Sequence, residues 1–109
     1  MRHLTVRQLK ERLEQGEPPV LLDVREEWEM ARCQLPGTTW IPMGQIMARM
    51  NELDSNKEIV VVCHHGVRSW QVAKFLEHEG FENVINLTGG IDAWAKEIDP
   101  SMPLYYKEQ

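Results

Sequence analysis

Glu58-Ile59-Val60-Val61-Val62-Cys63-His64-His65-Gly66-Val67-Arg68-Ser69 is the stretch on which the reading of this chain turns. It opens with four consecutive apolar residues, Ile59 to Val62, three of them valine. A run that short, β-branched and unbroken suits a strand buried on both faces, as in a parallel sheet between two layers of helices. A cysteine, a short polar loop with one glycine, and then Val72, Phe75 and Leu76 at helical spacing follow directly. A thiol at that junction lies at the carboxyl edge of the sheet, where open α/β proteins keep their chemistry. Cys63 is therefore the candidate functional centre.

The same alternation extends in both directions. Val20 to Val24 reads as a second buried strand, ending in the charged pair Asp23 and Arg25 at its carboxyl end. Val84 to Leu87 reads as the last strand, Thr38 to Ile41 as a short one closed by Pro42, and His3-Leu4 as at most a very short one. Thr5 and Gln8 fit a capping box ahead of Val6, Leu9 and Leu13, with Gly16 placed to stop the helix. Glu26 to Arg32 predicts a short helix whose acidic first turn suits the helix dipole. Gly80 is a helix stop with Phe81 packed behind it, and Gly89-Gly90 leads into a final helix carrying Ile91, Trp94 and Ala95. Met43, Ile46, Met47, Met50 and Leu53 recur at helical spacing, and core packing is the common use of such a stripe. Residues 102–109 read as an extended tail. Four or five short strands alternating with helices predict one α/β domain over residues 1–109, with a mostly parallel sheet and helices on both faces.

Composition narrows the function classes. The 109 residues, with 27% charged and 42% hydrophobic, suit one globular core. A net charge of −5 without a basic cluster speaks against nucleic acid as a partner. No apolar run approaches the roughly 20 residues of a membrane span. The first residues lack the apolar core of a secretory signal, so the expected location is the cytoplasm. Cys33 and Cys63 are the two cysteines, without a CxxC pair, so no disulfide framework is expected. Cys33, in an undistinguished helix-to-turn segment, reads as structural.

The loop has the makings of an anion cradle. The turn around Gly66 can aim successive N–H groups inward, and the helix after it exposes N–H groups toward the loop. Arg68 adds a positive charge, with partial ones expected from His64 and His65; together these favour a thiolate on Cys63. A lone cysteine after a valine run is most often a small core hydrophobe, but Cys63 closes its run and is followed by residues that want solvent or an anion. Cys63, His64 and His65 are also zinc-type ligands. Adjacent residues seldom converge on one ion and the usual spacings are absent, so no metal and no other cofactor is expected.

Three stretches carry a family resemblance: Leu22-Asp23-Val24-Arg25-Glu26 with Leu35-Pro36-Gly37 and Ile41-Pro42; Val61-Val62-Cys63-x-x-Gly66-x-Arg68-Ser69; and Leu87-x-Gly89-Gly90-Ile91-x-x-Trp94. In that order and spacing the chain resembles the rhodanese-like sulfurtransferases over nearly its whole length. The resemblance implies that Cys63 accepts sulfur from thiosulfate or a similar small donor, holds it as a persulfide cradled by residues 64–69, and passes it to cyanide or a thiol. It equally suits a persulfide carrier or sulfide-sensing module with a protein sulfur acceptor. Asp23 and Arg25 would support the loop. Cys33-Gln34 stands where the family commonly has Gly-His, so no role for that histidine carries over. Phosphatases of similar fold need an arginine at the seventh loop position. Here Arg68 is the sixth, too short a cradle for phosphate.

Overall fold

The computed structural model describes residues 1–106. Five strands, β1 (Arg2–Leu4), β2 (Val20–Asp23), β3 (Thr39–Trp40), β4 (Ile59–Val62) and β5 (Val84–Leu87), form one sheet in the order β1-β5-β4-β2-β3. Every pairing is parallel. Among the described residues four helices connect them, α1 (Val6–Leu13), α2 (Glu27–Arg32), α3 (Ile46–Arg49) and α4 (Val67–His78), and α5 (Gly90–Glu97) follows β5. The expected α/β architecture is the observed one.

The valine run occupies the middle of the sheet because every one of its side chains is apolar and can be buried in one of two cores. Side chains alternate along a strand, so Ile59 and Val61 face one layer and Val60 and Val62 the other. The first pair packs with Leu22, Ile46, Val72 and Leu76, beneath α3 and α4. The second packs with Val6, Leu9, Ile85, Ile91 and Trp94, beneath α1 and α5. All four residues are fully buried, each contributing about 1.5–3 kcal/mol relative to exposure.

Two local expectations change. The methionine stripe does not make one core helix: a 3-10 turn (Met43–Gln45), the single turn of α3 and a second 3-10 turn (Met50–Glu52) share it. Only Ile46 is buried there, while Met47 is 73% exposed. The helix is too short to carry its period inward at every turn. The tail is not a passive extension either, since Tyr105 is buried against the sheet edge while Tyr106 is exposed. The tail expectation for residues 107–109 lies outside the described residues. No helix among the described residues is long and apolar enough to cross a membrane.

Candidate active site

β4 ends at Val62, and four loop residues, Cys63 to Gly66, carry the chain into α4. Gly66 precedes the helix with φ 100°. A Cβ there would sit 3.2 Å from the Gly89 nitrogen and 3.3 Å from the Leu87 oxygen, so the left-handed backbone and the close packing both require glycine. This turn brings the Gly66 N–H to 3.1 Å from the Cys63 sulfur, and the Ser69 N–H lies at 3.3 Å. The loop carbonyls point the other way. Cys63 and His64 oxygens accept from the Ile91 and Asp92 N–H groups at the start of α5, at 2.9 and 3.0 Å. Donors therefore face the thiol and acceptors face away from it, the arrangement of an anion-binding nest.

The thiol is buried and joined to a side-chain relay. It approaches Ser69 Oγ at 3.3 Å; that hydroxyl donates to Asn86 Oδ1 at 2.5 Å, and Asn86 Nδ2 donates to the Gly66 carbonyl at 3.3 Å. Asn86 comes from β5, whose register sets it opposite Val61. Val67 is exposed at the first turn of α4.

The positive charge that Arg68 adds is a paired one. Its two terminal nitrogens donate to Glu29 Oε1 and Oε2 at 2.6 and 2.8 Å. Glu29, fully buried on α2, also accepts from the Tyr105 hydroxyl at 2.7 Å. Burial by itself would raise the Glu29 carboxyl, but the hydrogen bonds from Arg68, Tyr105 and the Glu26 backbone outweigh it and bring its pKa down to about 2. Tyr105 in turn accepts from Arg25 at 3.1 Å. Arg25, also fully buried, is held by Asp23 through Nε and a terminal nitrogen and donates to the Cys33 carbonyl at 2.8 Å. Asp23 and Arg25 thus pair with each other and reach the loop through Tyr105, Glu29 and Arg68.

His64 departs from expectation. Its ring is buried between His65, 3.8 Å away, and Tyr105, stacked at 4.0 Å, and neither ring nitrogen has a hydrogen-bond partner. Burial pushes its pKa down, so it adds no positive charge near neutral pH. His65 stays exposed, 3.9 Å from Asp92. His64, His65 and Asp92 have metal-ligand chemistry and lie within 4.8 Å of one another. Lys96 already holds Asp92 at 2.9 Å.

Comparison with known proteins agrees with the fold and with the family resemblance. A family model described as rhodanese-like domain matches residues 5–97. The chain belongs to the rhodanese-like family. Among curated relatives, it is 40% identical over 100 residues to "Putative sulfurtransferase YtwF" of Bacillus subtilis, covering 92% of this chain and 96% of that one. It is 36% identical to "Putative sulfur carrier protein YrkF" of the same organism, covering 88% of this chain and 52% of that protein. The crystal structure of a rhodanese-like domain protein from Staphylococcus aureus superposes with a TM-score of 0.84 at 35% identity, over 90% of this chain and 95% of the other.

Within the rhodanese-like match lie two site residues that sequence reasoning missed, Glu29 and Asn86. Asn86 did carry a signal, as a polar residue inside an apolar strand. Glu29 carried none, being one of several acids in a short helix. Tyr105 lies beyond the matched region and was read only as part of the tail.

Proposed function

We propose that this protein is a sulfurtransferase in which Cys63 carries sulfur as a persulfide, taken from thiosulfate or a similar donor and delivered to cyanide or a thiol. The observation that carries the reading is the pair of N–H groups, Gly66 and Ser69, aimed at a thiol placed directly after the central strand. A thiolate there attacks the outer sulfur of the donor, whose S–S bond breaks with its electron pair leaving on sulfite. The acceptor then attacks the outer sulfur of the persulfide and returns Cys63 as thiolate. Splitting the transfer this way is covalent catalysis, and the inward N–H groups stabilise anionic sulfur in both halves. Residues 64–69 form the cradle, with Asp23 and Arg25 supporting it at a distance. Two free cysteines suit the reducing cytoplasm.

Mass spectrometry after incubation with a sulfane-sulfur donor tests this: one sulfur should add to the wild type and none to Cys63→Ser. Equal addition to both would overturn it. A second reading, a carrier that hands sulfur to a protein, is favoured by the likeness to a protein named a sulfur carrier. Sulfur addition without fast thiocyanate formation from cyanide would select it.

A further inference from the structure

Resting on Cys63 as the sulfur acceptor, we infer that the site takes the persulfide of an organic thiol in preference to thiosulfate, and that Glu29 sets this preference. Thiosulfate is a dianion, and its sulfonate oxygens need charged donors to bind well out of water. Three cations of the site are already paired, while Arg32 and Lys74 lie over the Trp28 and Trp70 rings. Arg68 spends both terminal nitrogens on Glu29, Arg25 is buried against Asp23, and Lys96 holds Asp92. His64 is sealed inside the stack with neither ring nitrogen bonded, and burial disfavours its charged form. The surroundings add negative charge: Glu26 and Glu27 are exposed on and just before α2, in a chain of net charge −5.

An organic persulfide, R–S–S–H, asks for less. Its outer sulfur needs only the N–H groups of Gly66 and Ser69, and its R group needs apolar surface. Val67 and Trp70 expose such surface on the first turn of α4, and Trp28 does so edge-on to Tyr105. The step balances without a further reagent. The Cys63 thiolate attacks the outer sulfur, the S–S bond of the donor breaks, R–S⁻ leaves with the electron pair, and the proton stays on the new Cys63–S–S–H.

The test is single-turnover loading of Cys63, followed by mass spectrometry, with thiosulfate, glutathione persulfide and a peptide carrying a cysteine persulfide. Either persulfide should load at least about tenfold faster than thiosulfate, the better of the two identifying the natural source as small thiol or protein. Glu29→Gln, which frees Arg68, should raise the ratio of thiosulfate rate to persulfide rate, both measured on that variant, by about tenfold, the order by which an unpaired charge in a cleft enhances anion capture. If that variant does not fold, added salt on the wild type decides, since thiosulfate loading should stay flat or rise with ionic strength. Thiosulfate loading as fast as persulfide, or falling steeply with salt, overturns the inference while keeping the sulfurtransferase reading. Failure of every donor to load Cys63 overturns that reading as well.

Discussion

A carboxylate with no exposed surface must have its charge met from inside the protein, and Glu29 meets it with Arg68, Tyr105 and the Glu26 backbone. Removing it strands Arg68 and leaves the Tyr105 hydroxyl without its acceptor. Glu29→Ala should therefore cost about 3–5 kcal/mol, the usual penalty for breaking a buried pair by losing one partner, read as a fall in the urea midpoint. Tyr105→Phe is a gentler probe, because it keeps the ring stacked on His64 and deletes only the hydroxyl between Arg25 and Glu29. A loss of about 1–3 kcal/mol is expected. Unchanged stability would mean that the tail does not hold the network.

Among the elements, the contact of α5 with the loop does most to shape the site. Its first N–H groups hold the carbonyls of Cys63 and His64, which turns the loop's own donors inward. Gly90 permits this approach. Its φ is 59°, and a Cβ would run into the Cys63 oxygen and lie 2.6 Å from the His64 oxygen. Backbone cannot step aside as a flexible side chain could. Gly90→Ala should destabilise the fold by more than about 1 kcal/mol and slow sulfur loading at Cys63 even where the protein stays folded, as checked by single-turnover mass spectrometry at a temperature well below unfolding. Gly90 itself was legible in the sequence as the start of a helix, but its approach to the loop was not.

For the whole molecule, the buried pairs make stability depend on acid. The Glu29 carboxyl sits at about 2 in the folded protein against 4.5 in its unperturbed state. A depressed folded value means that the stabilisation is fully present above the unfolded value and is lost as pH falls through about 4.5 toward 2. Stability measured by urea unfolding should thus decline by about 3 kcal/mol over that window through this residue. Glu29→Gln should show a visibly shallower decline, and a decline as steep as the wild type's would assign the acid sensitivity elsewhere.

The sequence by itself determined the strand that lies at the centre, the α/β alternation, the cysteine at the sheet edge and the length of its loop. These are local properties: a β-branched run, helical spacing, a cap and a turn glycine each declare themselves within a dozen residues. It did not determine which charges meet. Arg68 read as a positive charge of the loop, yet its partner Glu29 lies 39 positions before it, and Tyr105, which shares Glu29, lies 76 positions after Glu29. Nor did it show that His64 would be sealed between two rings. Those outcomes depend on parallel pairing, which brings the ends of β2, β4 and β5 to one edge and lets the tail reach them. The cysteine at the sheet edge could be read from the chain, while the charges that meet around it were decided only by the fold, because electrostatics depends on distance in space and not along the sequence.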